Sequence, residues 1–592
     1  MAGIFLVGRA DLGASGGTYL SHLIGRKVTI GSLRIHPGQT ITIEISDASV
    51  ANLRGGTKPA MITVSRLTAE FPLRTLLLGP LTVSKLKVEG GYILLEHESD
   101  GTPNWRFKTA TRNIAPDRPG RLELPVILDA HFRDVTINYR SPTGRSLPTV
   151  IEDGQLTTER RDAPVSLTVK GSYRATPIVL VADLASFAVL HRGEVPFPAK
   201  IQLQTVGNQL NFEGTFIDPL NVEGAAGKLT LHAPALVELA NGAGIAGAPD
   251  IAVDITGQLT RNADVTKIDN GHGTIAGQTF DGGLELREGT PPQPDALKLE
   301  AGFQKLDSET IVKRPSGASP NQGQSNGISL VMDPAPTTLL DIHVTAGHFV
   351  YGGIAADDFG ITAKIGAGAL SVDEVAFGIA GGTARSKISV VNNKDNKGVV
   401  NFEGSLAGVD ANQVGALLGW APLPVDGPVT GRAIGSMIGA DMSEARRTNR
   451  VFAVLAMDMG TIERDIVRKA STDIRMLFGS DTGVRKLRCL LAVLNLRDGK
   501  GTIGPARIKS TAGTIAGSGT YDSVHDTMDL VIGAQSKSWF SLDVPVRIAG
   551  PVTHFSVMPA FGTSRQLNDI RLPDDLPQAL KDIATASPCL SH

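Results

Sequence analysis

The chain has 592 residues, enough for roughly four ordinary domains, with a formal net charge of −2 and only 5% aromatic residues. That near-neutral balance argues against a nucleic-acid protein, which needs a basic face. Two cysteines, Cys489 and Cys589, exclude zinc or redox spacing built on cysteine alone, and leave open one disulfide or two unpaired thiols.

No segment reaches the run of about twenty apolar residues that spans a bilayer. The run Met1 to Arg9 reads either as a frayed strand or as the last turns of a transmembrane helix that begins outside this chain. Residues 10–25 are predicted to form a short helix, with Tyr19, Leu20, Leu23 and Ile24 on one face. Strands are predicted at 28–35 and 40–46, and then a seven-residue figure occurs twice, VSRLTAE from Val64 and VSKLKVE from Val83. Around each copy apolar residues alternate, Ile62 and Val64, or Leu81 and Val83. The phase then breaks and resumes on Leu67, Ala69 and Phe71, or on Leu86 and Val88. Period-two alternation marks a strand with one buried face, and a phase break marks a bulge or a bend.

From 126 to 400 the pattern is almost wholly strand and turn, as in KIQLQTV and GKLTLHA. NFEG occurs at Asn211–Gly214 and Asn401–Gly404, where it is expected to close a strand and open a turn. Residues 313–327 are poor in apolar side chains and read as a loop. Helices are expected near 410–420 and 463–478, with a weaker one around Leu576 to Ile583.

The pattern offers little reactive chemistry. Gly13-Ala14-Ser15-Gly16-Gly17 matches a nucleophile elbow, but that chemistry needs a strand before the serine, and none is evident. His97, His131, His343 and His554 lack the paired spacing of a metal site. No phosphate-binding or dinucleotide fingerprint occurs, so no catalytic residue, metal or cofactor is expected. Two basic strips remain, Arg446, Arg447 and Arg450, and Arg485, Lys486 and Arg488.

A sheet with one apolar face must hide it, and this chain has too few helices to cover so many strands. The expected fold is mainly β: an elongated, strongly curved antiparallel sheet, an open trough of repeating strands with a few short helices. An apolar trough is tolerable if acyl chains fill it, at roughly 0.8 kcal/mol per buried methylene. The candidate lining residues are Ile41, Ile43, Ile45, Ile62, Val64, Leu67, Leu81, Val83, Leu86 and Val88.

The stretches GRKVTIGSLRI (25–35), LLLGPLTVSKLKVEGGYILLE and DGTPNWRF are similar to the start of the AsmA family of Gram-negative envelope proteins. LRCLLAVLNLRDGKGTIGPARIKSTAGTIAGSGTYDSVHDTMDLVI, followed by VPVRIAGPVTHFSVMP, resembles the family's C-terminal part. The resemblance covers most of the chain and divides it into an anchor remnant and short helix (1–27), an N-terminal β region (28–110), a repetitive middle (111–400), a C-terminal region (401–560) and a tail (561–592). It implies a periplasmic β-groove, anchored in the inner membrane by one N-terminal helix of which Gly3 to Gly8 would be the remnant. Its partners would be phospholipids or other acyl-chain lipids and outer-membrane components. It also implies an oxidising compartment, in which Cys489 and Cys589 would pair. The expected function is non-enzymatic: lipid binding in support of phospholipid transport and outer-membrane homeostasis. The alternative is a scaffold or assembly factor for outer-membrane proteins with a dry, self-packed core.

Overall fold

A computed structural model describes residues 13–77, 81–96, 103–105, 125–140, 146–192, 195–219, 222–243, 250–289, 292–311, 328–351, 354–417, 425–462, 485–510, 514–535, 545–560 and 571–590. The fold is mainly β, 67% strand and 10% helix, in a long mixed sheet of about 30 strands that is not closed into a barrel. It divides into two compact units, Met1–Lys298 and Leu299–His592. The run Met1 to Arg9, the loop 313–327 and the expected helix 463–478 lie outside the described residues.

In the first unit, helix α1 (Gly13–Ile24) leads into β1 (Val28–His36), β2 (Thr40–Ala51), β3 (Ala60–Pro72), α2 (Leu73–Leu77), β4 (Thr82–Val83), β5 (Lys85–Glu96), β6 (Val126–Ile127) and β7 (Asp129–Arg140). There follow β8 (Ser146–Thr157), β9 (Val165–Tyr173), β10 (Thr176–Leu184), α3 (Phe187–Leu190), β11 (Phe197–Thr205), β12 (Asn208–Phe216) and β13 (Ala225–Ala233). Helix α4 (Leu236–Ala243), β14 (Val253–Asn262), β15 (Val265–Ile275) and β16 (Gln278–Arg287) complete it. Most strands pair antiparallel with the next, but β5 and β7 are parallel, as are the short β4 and β6. The long connection after Glu96 allows this, because parallel neighbours need a crossover of about a dozen residues or more.

The repeated phase break is a bend shared by successive strands. Gly31 lies level with Asp47, Asp47 with Ser65, Ser65 with Gly90, Gly90 with Asp134, and Asp134 with Glu152. Asp47, Gly90 and Asp134 have φ of 53°, 67° and 55°. This left-handed conformation is open to glycine and tolerated by aspartate. Because neighbouring strands bend at the same level, pairing continues on both sides without a slip, and the crease runs across the sheet from β1 to β8. It ends at the register shift between Ile151 and Asp153, where β8 meets β9.

The second unit holds β17 (Asp295–Asp307, begun in the first), α5 (Ser308–Ile311), β18 (Thr338–Tyr351), β19 (Ile354–Gly366), β20 (Ala369–Ile379), β21 (Gly382–Asn392), β22 (Gly398–Asp410) and α6 (Ala411–Leu417). Next come β23 (Val425–Asp426), β24 (Pro428–Gly439), α7 (Met442–Arg446), β25 (Arg450–Met457), β26 (Gly460–Ile462), β27 (Arg485–Arg497) and β28 (Lys500–Ser510). The unit ends with β29 (Thr514–Asp522), β30 (Thr527–Gln535), β31 (Val546–Pro551), β32 (Ser556–Pro559) and α8 (Gln578–Ala586). Helix α6 falls inside the expected 410–420, and α8 begins two residues after the expected start. NFEG, by contrast, opens no turn. Both copies lie within strands, β12 and β22. Gly214 serves a close approach, since a Cβ there would lie 2.6 Å from the Gly227 Cα across the strand pair.

Strands β25 and β27 read VFAVLAM and CLLAVLNL, continuous apolar runs with no alternation. Such runs make both faces of a strand apolar. Here Leu576, Leu580 and Ala584 of the tail cover one face by packing on Phe452, Val454, Ala456, Leu491 and Val493, while Ala453 and Leu494 on the other are half-buried. Cys589 is disulfide-bonded to Cys489, with Cα atoms 5.6 Å apart. Arg507 Nη1 donates to the Cys589 carbonyl (2.6 Å), Lys509 Nζ to that of Pro588 (2.8 Å), and Arg497 pairs with Asp575.

The bend makes Asp134→Gly neutral or stabilising. Asp134→Val should cost about 1–3 kcal/mol, read as a lower urea midpoint with unchanged circular dichroism. Replacing both cysteines by alanine should lower stability by about 2–5 kcal/mol, with amide protection lost first in α8 by hydrogen exchange.

Candidate functional site

The register places apolar side chains in rows that cross the strands. One row runs Leu33, Ile45, Leu67, Val88, Phe132, Gly154, Val169, Leu180, Leu203, Leu210, Leu231, Ile255, Gly273 and Phe280, each level with the next across a strand pair. A second runs Ile35, Ile43, Ala69, Leu86, Ala130, Leu156, Leu167, Ala182, Ile201, Phe212 and Leu229. Between them on the opposite face lies a row that begins Arg34, Glu44, Thr68, Lys87, His131, Gln155 and Thr168. At about 4.8 Å per strand, the first apolar row is on the order of 60 Å long, measured along the sheet.

These rows are not a sealed core. Leu33, Ile45, Leu67, Val88, Phe132, Val169, Leu180, Leu203, Leu210, Leu231 and Ile255 are all half-buried. Full burial falls on small members, such as Ala69, Ala130 and Ala182, and on Phe212 and Phe280. A face packed dry against a second layer would seal its leucines. The second unit repeats the device with smaller side chains, in the row Val344, Ile361, Val375, Ser386, Gly404, Ala433, Ala453, Leu494, Ile503, Gly519, Leu530 and Ile548.

Of the candidate lining residues, eight stand on strands β2, β3 and β5 of the main sheet. Ile43, Ile45, Leu67, Leu86 and Val88 stand in the two rows, and Ile41 is level with Phe71. Ile62 and Val64 lie beyond the crease, level with Ile93 and Gly91. Leu81 and Val83 do not join them. Leu81 precedes β4 and is 46% exposed, whereas Val83 is 4% exposed in the side pair β4–β6. The chain breaks between them and β5 at Ser84, whose N–H donates to the Glu70 carbonyl (2.8 Å). The row members beyond β7 were readable as alternation strand by strand, but no local signal fixes which residue stands beside which.

Tyr139 stands at the Arg140 end of β7, and its phenol is pushed up by burial first and then by the Glu288 carboxylate, with Arg261 opposing.

Within DGTPNW, Asn104 has a structural role at the Glu96 end of β5. Asn104, 1% exposed, accepts from the Glu96 N–H (3.1 Å) and donates to Asn52 Oδ1 (3.0 Å) and the Leu94 carbonyl (2.9 Å). Glu96 in turn accepts from Asn52 Nδ2 (2.6 Å), the Thr57 N–H (2.9 Å) and Thr57 Oγ1 (2.6 Å). Burial alone would raise its pKa, but these donors, with the Arg140 charge, outweigh it and hold the carboxyl below its usual 4.5. Gly499 of the RDG element and Ser523, next after YD, are also structural. Asn449 accepts from the Gly499 N–H (2.9 Å) and donates to Ser523 Oγ (2.8 Å).

Ser15 lies inside α1, not on a strand-to-helix turn, so the elbow geometry is not formed. Among the described residues no group of three or more His, Cys, Asp or Glu could hold a metal. In the first basic strip, Arg446 pairs with Asp526 (3.0 Å) and Arg450 with Asp575 (3.8 Å). No family model, curated protein or solved structure matches the chain.

Because the Glu96 carboxyl is depressed, its contribution is present above its unfolded value and is lost as pH falls through the folded one. Glu96→Gln should therefore cost about 1–3 kcal/mol at pH 7. The difference from the parent should close as pH drops below the carboxylate range, measured as unfolding midpoints across a pH series.

Proposed function

We propose that this chain is a non-enzymatic envelope protein. It holds the acyl chains of phospholipid along the apolar rows and aids their passage between inner and outer membrane. The observation that carries this reading is the long row of leucine, isoleucine and valine side chains held level across the strands yet half exposed. Monomeric proteins rarely leave more than a few hundred Å² of contiguous apolar surface open. An acyl chain laid across such a row needs no polar anchor, because each methylene contributes roughly 0.8 kcal/mol. The resemblance to AsmA proteins supports the reading and would place the chain in the periplasm. In the scaffold reading the same rows pack dry against another protein, and the half-exposed leucines speak less directly for it.

Native mass spectrometry of protein purified without harsh detergent should show bound phospholipid. Leu67→Asp or Val88→Asp removes apolar contact worth about 2 kcal/mol, so phospholipid affinity should fall about 30-fold. Thr68→Asp, on the opposite face, should leave it unchanged. Lipid-free protein, or an equal loss from Thr68→Asp, would defeat the proposal.

A further inference from the structure

The strand ends along one edge of the first unit form a contiguous series. The Ala51 N–H donates to the Lys27 carbonyl, and Thr57 and Asn52 grip Glu96. Glu96 is level with Arg140, Arg140 with Ser146, and the Arg174 N–H donates to the Pro148 carbonyl. This edge carries Arg26, Lys27, Arg54, Lys58, Arg140 and Arg174. Within 25–28, 51–60, 94–96, 103–105, 138–140, 146–149 and 172–177, the one carboxylate side chain is Glu96. Its donors already satisfy it, and it is 4% exposed.

Lys27, Arg54 and Lys58 are exposed, and Arg140 is half-buried. Lys58 lies 4.1 Å over the Tyr92 ring and donates to its hydroxyl, an arrangement that holds the ammonium at the edge. Glu288, which is paired with Arg261, and Asp295 both raise the Tyr139 phenol. The opposite strand ends are mixed in sign: Arg160 pairs with Asp162, Arg287 with Asp264 and His131 with Asp129. Among the described residues the edge is therefore richer in basic than in acidic side chains, in a chain whose formal net charge is −2.

Two further features lie at this edge. Tyr19 of α1, the helix that runs into Arg26, is 70% exposed. The apolar row Val28, Val50, Ile62, Ile93 and Ile137 lies just inside the edge. A nucleic acid would meet the charges but find no use for an apolar row directly behind them. An anionic lipid surface offers phosphates to the first and acyl chains to the second, and aromatic side chains favour its interface.

We propose that this edge docks the protein on an anionic phospholipid surface, with lipid phosphates met by Lys27, Arg54, Lys58 and Arg140. The apolar rows would then open at headgroup level, a consequence that rests on the acyl-binding reading, whereas docking does not.

The test is co-sedimentation of the full chain with phosphatidylglycerol-containing vesicles and with pure phosphatidylcholine vesicles, at low and high salt. Each basic residue near an anionic surface is worth about fivefold in partitioning. The variant Lys27→Ala/Arg54→Ala/Lys58→Ala should therefore lose about 100-fold on anionic vesicles. Arg160→Ala/Arg287→Ala, on the opposite strand ends, should lose less than about threefold. High salt should abolish the difference. If the triple variant fails to fold, Arg54→Ala alone, in the turn beside Gly55, should lose about fivefold. Equal binding to both vesicle types, unchanged binding by the variants, or full competition by duplex DNA would overturn the docking. Detergent-solubilised phospholipid bound by the same variants, read by mass spectrometry, reports acyl binding separately: the triple variant should keep it, so loss of docking and loss of acyl binding are told apart.

Discussion

Backbone register is the constraint on which the rest of this protein depends. A strand alternates its side chains between two faces, and a one-residue slip against its neighbour would exchange them. From β1 to β16 the pairing keeps Leu33, Ile45, Leu67, Val88 and their successors level, so separate short alternations become one long apolar row. No single strand buries much. What the fold achieves is lateral continuity, and the hydrogen-bond ladder alone enforces it.

The crease shows how strictly that constraint acts. A bend in one strand would ordinarily break pairing with the next. Here Asp47, Gly90 and Asp134 adopt the same left-handed turn at the same level, so the strands bend as a set and stay paired. Where the set ends, at β8 and β9, a register shift absorbs the mismatch. The two copies of the repeat flank adjacent points of this line. The second copy also marks where chain direction changes, because Val83 is diverted into the side pair β4–β6 before β5 begins.

The second unit answers the same problem of apolar surface differently. Where both faces of β25 and β27 are apolar, the chain covers one of them itself: the tail carries Leu576, Leu580 and Ala584 back onto the sheet and is tied there through Cys489 and Cys589. Where the other face is polar, as along Arg34, Glu44 and Thr68, one apolar face is left half open. The contrast sets apart the rows proposed to take lipid from the strip the protein closes for itself.

Local pattern in the sequence was enough for the strands, the mainly β class, the short helices at α1 and α6, and the phase break at Ser65-Arg66. Each depends on residues within a few positions of one another. Eight of the ten candidate residues stand on the main sheet, in β2, β3 and β5, because their alternation is local to those strands; Leu81 precedes β4, and Val83 belongs to the side pair β4–β6. NFEG reads as a turn but lies within strands, because glycine marks both turns and close backbone approach. Tertiary structure alone decided the parallel pairing of β5 with β7 and the gathering of Lys27, Arg54, Lys58 and Arg140 on one edge. Those relations join residues far apart in the chain, and only the accumulated register and twist of many strands determine them.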